Sequence, residues 1–204
     1  MLTRILHLSL LGAITMPMIY GQSDSGRITG TITDSTNAVM QNAFVVDDLD
    51  AALDHWISTM GVGPFYVFQH VKFQDIFFRG EPSSVDMTAA IAYWGDMQIE
   101  LIKQHNDQPS IFREFQAKGQ RGMQHMGVIT PNLDEHLRRL QPLGIVPVQW
   151  GSMPAGMRFA YVSSDFHPGG MIELIEPGPA IADFFKQMKD AAEHWDGSNA
   201  VIPL

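Results

Sequence analysis

One stretch of this sequence is written twice, and a chain that repeats itself at this scale is constrained to fold as two copies of one unit. The first copy runs from Gln41 to Leu53 and the second from His125 to Leu137, aligned without a gap. Leu49/Leu133, Asp50/Asp134 and Leu53/Leu137 are identical between them. Each copy closes on a second shared phrase: Gln98 to Lys103 reads Gln-Ile-Glu-Leu-Ile-Lys, and Met171 to Glu176 reads Met-Ile-Glu-Leu-Ile-Glu. The repeat sets Gln41 against His125 and Glu100 against Glu173. An amide, an imidazole and two carboxylates form an N/O donor set suited to a divalent cation.

Periodicity predicts the same order of elements in both copies. In the first, a strand from Gln41 to Val46 is stopped by Asp47 and Asp48, which cap a helix from Leu49 to Met60 ended by Gly61. Strands follow at Phe65–Phe68, Ile76–Phe78, Thr88–Trp94 and Met97–Lys103. In the second, a strand His125–Thr130 and a helix Leu133–Leu140 precede strands near Ile145–Trp150, Met157–Ser163 and Met171–Ile175. The expected fold is α+β, with two βαβββ modules forming paired curved sheets around a shared cleft. The expected boundaries are a signal-like segment and extension over 1–38, a first module over 39–106 and a linker helix within 107–122. A second module follows over 123–178, then a C-terminal helix and tail over 179–204.

Alternation along a strand puts positions 98, 100 and 102 on one face. Glu100 sits between Ile99 and Leu101, and Glu173 between Ile172 and Leu174. A carboxylate in so apolar a strand is costly to bury without a partner, and a cation removes that cost. On a half-exposed sheet the same residues would simply face water. The paired registration of all four favours the metal. Zn, Ni, Co, Mn or Fe(II) would suit the set. His55, His136 and His194 fall on predicted helices and His70 and His105 near strand ends, where surface roles are commoner. His167, in His-Pro-Gly-Gly, belongs to a polar turn that could line the cleft mouth.

The formal charge of −9 lies wholly in residues 41–204, because Arg4 and Arg27 balance Asp24 and Asp34 before them. An acidic body argues against nucleic acid as a partner. With no cysteine, disulfides, thiolate catalysis and sulfur-ligated zinc are excluded. The front differs in character. Met1 to Arg4 is a short basic start, Ile5 to Tyr20 is mostly apolar, and Gly21 is a small residue at a candidate cleavage site. That run is short for a stable membrane span. It suggests a periplasmic or secreted location if it works as a signal, whereas the body suggests the cytoplasm. Gly26 to Val39 resembles the opening strand of the carboxypeptidase-regulatory-like β-sandwich.

Paired βαβββ units with ligands at these places resemble the vicinal oxygen chelate superfamily, which includes glyoxalase I, methylmalonyl-CoA epimerase, extradiol dioxygenases and drug-resistance proteins. Gln41, Glu100, His125 and Glu173 match in kind the ligand order of eukaryotic-type glyoxalase I, and Arg121-Gly122 leads into His125 as in that family. Val45 stands where that family has a glutathione-clamping arginine, and Gln104-His105 replaces its Asn-Trp. Methylmalonyl-CoA epimerase is the better likeness. Gly122-Met-Gln-His125 resembles its approach to the third ligand, and His167-Pro-Gly-Gly-Met-Ile-Glu173-Leu resembles its ending. Its first ligand is commonly His, and Asp75 and Glu81 are candidates for its second carboxylate. Extradiol dioxygenases use a His, His, Glu set, which Gln41 does not match.

The resemblance implies a divalent-metal-dependent isomerase or epimerase that abstracts a proton next to a carbonyl. A glyoxalase I-type lactoylglutathione lyase and a non-catalytic small-molecule-binding protein are the alternatives. Glu173 is the first choice for general base, with Glu100 facing it, and Arg121 is a candidate to hold an anionic group of the substrate. The substrate would be a small molecule such as an acyl thioester or hemithioacetal. Related folds often pair, which allows a homodimer.

Overall fold

Strand β1 (Val39–Val45) carries Gln41, Ala43 and Val45 on one buried face. Asp48 ends the extended run and caps α1 (Leu49–Asp54), its carboxylate accepting from the Ala51 amide at 3.1 Å. In the second copy Asn132 does the same for α3 (Leu133–Leu140), accepting from Glu135 N at 2.9 Å. Both caps occupy the same position of the repeat, so the duplication extends to the way each helix starts. The computed structural model describes residues 39–163 and 170–204. The signal-like segment 1–38 and His167 lie outside them.

Beyond Asp54 the expected α-helix widens into a π-helical stretch, His55–Thr59, with Met60 N bonding to His55 O. Trp56 packs there on Phe44 and Trp94, at ring-centroid distances of 5.5 and 5.8 Å. The chain then forms β2 (Phe65–Phe68), β3 (Asp75–Phe78), β4 (Glu81–Pro82), β5 (Met87–Trp94) and β6 (Met97–Gln104). Helix α2 (Ile111–Ala117) leads to β7 (Gly122–Ile129), and α3 to β8 (Pro147–Ser152), β9 (Arg158–Ser163) and β10 (Met171–Glu176). Helix α4 (Gly178–Glu193) and a short β11 (Val201–Pro203) close the chain.

The strand order is β11-β2-β5-β6-β1-β7-β10-β9-β8-β3-β4. Within it, β2-β5-β6-β1 mirrors β8-β9-β10-β7, as duplication requires. The halves join where β1 and β7 run antiparallel, so the paired half-sheets of the two modules are continuous across that seam. One departure concerns β3. Expected inside the first module, it instead pairs with β8, the outer strand of the second. The loop between β2 and β5 therefore works as an arm from one module to the other. β8 would otherwise present a row of unpaired backbone groups, and the arm satisfies them. At the opposite end β11, not foreseen, covers β2 in the same way.

Two cores result. Leu49 and Leu53 of α1 pack on Ile99 and Leu101 behind the first half-sheet, and Leu133 of α3 packs on Leu174 behind the second. On the concave side, Ala43, Ile102, Phe112, Phe159 and Tyr161 form a core shared by both halves. Helix α4 lays Met188, Phe184 and Phe185 against Ile91 and Tyr93 of β5.

Candidate metal centre

The β1/β7 seam determines where the polar side chains fall. Gln41 pairs with Gly127 and Ala43 with His125, so the Asn42–Met126 pair lies on the local twofold axis. Each large polar side chain thus stands across from a small residue. In the flanking strands, Ala43 is level with Glu100 of β6 and Gly127 with Glu173 of β10. Because Ala43 and Gly127 are equivalent in the repeat, Glu100 and Glu173 are equivalent as well.

The donor atoms of Glu100, His125 and Glu173 lie within 4.8 Å of one another, and all three residues are buried. His125 Nε2 is 3.5 Å from Glu100 Oε2 and 3.3 Å from Glu173 Oε2. Gln41 is buried too and lines the same cleft. Among the described residues, three buried side-chain atoms make no hydrogen bond of acceptable geometry: Gln41 Oε1, Glu100 Oε2 and His125 Nε2, the last two meeting only in the 3.5 Å contact above. An orphaned buried polar atom costs on the order of 1–3 kcal/mol. All three belong to the set that the duplication singles out, and a cation among them would remove that cost. The donor set therefore fits a divalent metal.

Neighbouring groups orient these donors. Gln41 Nε2 donates to Gln98 Oε1 at 3.2 Å, which turns Oε1 the other way, and Gln98 in turn donates to Tyr93 OH at 2.9 Å. Gln124 Oε1 accepts from His125 Nδ1 at 2.7 Å while its amide nitrogen donates to Met171 Sδ. A proton fixed on Nδ1 leaves Nε2 as the coordinating nitrogen. Without a cation the imidazole holds a second proton. Burial opposes it, but the adjoining carboxylates of Glu100 and Glu173 prevail and lift the His125 pKa to about 9. The Glu100 carboxyl is raised, first by burial and then by the charge of Glu173, against the pull of His125. Tyr161 lies against His125, with ring centroids 5.0 Å apart. Its phenol is raised well above its usual range by burial and then by Glu173 and Glu100, so it stays protonated as a donor beside Glu173.

Above this floor the sheet, α2 and α4 line a cleft of about 90 Å³. Six phenylalanines, Phe68, Phe73, Phe112, Phe159, Phe184 and Phe185, form much of its wall. Arg121 is not brought to the cleft: its guanidinium pairs with Asp47 at 2.6 Å, half exposed, and donates to the Gln116 and Gln120 carbonyls. Asp75 and Glu81 are exposed on the bridging arm, away from the cluster. Gln98, Gln124 and Tyr161 escape a reading of the sequence. Gln98 carried a usable signal, being two residues before Glu100 on the same strand face. The roles of Gln124 and Tyr161 depend on pairings between strands distant in sequence.

Residues 40–161 match the family described as the glyoxalase/bleomycin resistance protein/dioxygenase superfamily. Among solved structures, methylmalonyl-CoA epimerase from Mycobacterium tuberculosis superposes with a TM-score of 0.52 at 21% identity, covering 74% of this chain and 95% of that one. A hypothetical protein from Bacillus halodurans superposes with a TM-score of 0.50 at 14% identity, covering 69% and 94%. At such identities the likeness establishes the fold alone. No curated protein matches the sequence.

Proposed function

This chain belongs to the glyoxalase/bleomycin resistance protein/dioxygenase superfamily, and we propose that it is a divalent-metal-dependent isomerase or epimerase that removes and returns a proton next to a carbonyl. The observation that carries the proposal is the trio of orphaned buried atoms, Gln41 Oε1, Glu100 Oε2 and His125 Nε2, gathered beside Glu173 at the floor of an apolar cleft. Gln41, Glu100, His125 and Glu173 would hold the cation, whose contribution is Lewis-acid polarisation of a substrate carbonyl, making the adjacent C–H more acidic.

Glu173 is the proposed base. Tyr161, kept neutral by its surroundings, supports it with a hydrogen-bond donor and orients it. Glu100 is related to Glu173 by the local twofold, so it approaches the same centre from the opposite side. Two carboxylates so placed suit an epimerisation, in which one face of the carbon loses the proton and the other regains it. The apolar walls keep bulk water from quenching the carbanionic centre. The methylmalonyl-CoA epimerase from Mycobacterium tuberculosis, whose fold this chain shares, agrees with an epimerase reading. Val45, where a glutathione clamp would need an arginine, is buried and apolar, which weighs against the lyase alternative.

The test is metal analysis after dialysis, followed by α-proton exchange in deuterium oxide with a panel of α-acidic thioesters. Stoichiometric metal, together with exchange that falls by about two orders of magnitude in Glu173→Gln, supports the assignment. Exchange unchanged in that variant removes Glu173 as the base. A protein that binds the thioesters without metal or exchange is a sequestering module, and the proposal fails.

A further inference from the structure

The cleft also limits what kind of molecule can react there. Resting on the proton-transfer reading above, we infer that the substrate is an uncharged carbonyl compound with an apolar body of aromatic size, and that neither a carboxylate nor a coenzyme A moiety is recognised. Among the described residues lining the cleft there is no lysine and no arginine. Its polar groups gather at the floor, in Gln41, Glu100, Glu173 and Tyr161, while Gln149 on the wall is already bonded to Ile111 N.

The floor cannot supply the missing positive charge. Two carboxylates cancel the charge of a divalent ion, and the amide and the neutral imidazole add none. An anionic group entering the cleft would therefore lose its hydration for a site of no net positive charge, which is unfavourable. The arginines adjacent in sequence to cleft residues are engaged elsewhere, Arg113 with Asp107 and the Asn106 carbonyl and Arg158 with Asp134, while Arg79 and Arg121 pair with Glu114 and Asp47. An outer hollow shares Phe68, Val71 and Met153 with the cleft and holds Lys72, a single cation where a nucleotide diphosphate would need several.

The walls favour an aromatic body. Thioether side chains of Met87, Met153 and Met157 line the cleft together with the phenylalanines. Methionine adapts to irregular apolar shapes and makes favourable sulfur–ring contacts. A ligand with one polar end and a flat apolar body would place its carbonyl at the floor and bury its body among these groups.

The test uses N-acetylcysteamine thioesters, whose handle is uncharged, and calorimetric binding to the metal-loaded full chain. The 2-phenylpropionyl thioester is expected to bind at least about tenfold more tightly than the carboxylated methylmalonyl thioester, and the 2-phenylpropionyl coenzyme A ester no more tightly than its truncated counterpart. A Met157→Lys variant should narrow or reverse the first preference. Equal or tighter binding of the carboxylated ligand, or an affinity gain of about tenfold from coenzyme A, overturns the inference. Solvent exchange of the α-proton is measured on the same complexes. Tight neutral binding without exchange sinks the proton-transfer reading and leaves this one standing. Exchange confined to the carboxylated thioester does the reverse.

Discussion

Gly127 lies directly across the β1/β7 seam from Gln41, and a Cβ at position 127 would stand 2.8 Å from Gln41 Oε1 and 2.9 Å from Gln41 Cβ. The missing side chain is the space in which the glutamine sits. Its counterpart in the repeat, Ala43, faces His125 and keeps its methyl group. The seam is thus asymmetric at one atom, and the side that carries the longer, more flexible donor has the smaller partner.

Gly127→Ala should push Gln41 out of the cluster while leaving the strand paired, since Gly127 is not among the glycines with positive φ. Metal affinity is expected to fall by about tenfold or more, read by competition with a chromogenic chelator, with an unchanged far-ultraviolet circular dichroism spectrum. Ala43→Gly, the control, creates space instead of filling it. Equal metal affinity in Gly127→Ala and the parent would show that Gln41 is not a ligand.

Gln124→Leu removes the acceptor of the His125 Nδ1 proton. The imidazole then loses both its orientation and the partner that selects its tautomer. A loss of about 10–100-fold in metal affinity is expected, with the protein still folded by thermal melting. A variant that retains full affinity would mean His125 is held by packing against Tyr161 alone.

Acidity and metal should compete. In the metal-free protein the His125 pKa is raised from 6.5 to about 9, so the stabilisation from its imidazolium is fully present below 6.5 and is lost as pH rises through about 9. Glu100, also raised, acts in the same direction. The melting temperature of chelator-treated protein should therefore decline over that interval. Metal must displace the proton on Nε2, so affinity for Zn should rise over the same range. Flat profiles for both quantities would contradict the buried Glu–His–Glu arrangement.

Gly151→Ala tests the arm between the modules. A Cβ there would lie within van der Waals radii of the Asp75 carbonyl oxygen, a backbone atom of β3 that has no side-chain freedom to retreat. The pairing of β3 with β8 should loosen, at a cost of about 1–3 kcal/mol by chemical denaturation, with faster amide exchange over residues 75–78. Unchanged exchange there would mean that the arm is held by its apolar contacts and not by the ladder.

Much of this fold is legible in the residues themselves. The gapless repeat of Gln41–Leu53 in His125–Leu137 carries the strand, the helix cap and the buried leucines together, because each is a local device: Asp48 and Asn132 cap their own helices, and Leu49 and Leu133 follow from helical spacing. The equivalence of Glu100 and Glu173 was visible as well, in the shared Ile-Glu-Leu-Ile phrase. Less visible was the fate of β3, whose four residues look like any short strand. Its partner depends on which sheet edge is left free, a property of the assembled molecule.

The sequence by itself determined the duplication, the modules' internal order and the residue types available to a metal, since these rest on spacing along the chain and on the alternation of strand side chains. Only the assembled molecule decided that β1 and β7 meet antiparallel with Gln41 opposite Gly127, that Gln98 and Gln124 orient the side chains beside them, that Arg121 turns to Asp47, and that the described residues walling the cleft are rich in phenylalanine and methionine and include no lysine or arginine. These are contacts between segments far apart in the chain. Their register is set by mutual packing and hydrogen bonding across the sheet, and no local run of residues encodes it.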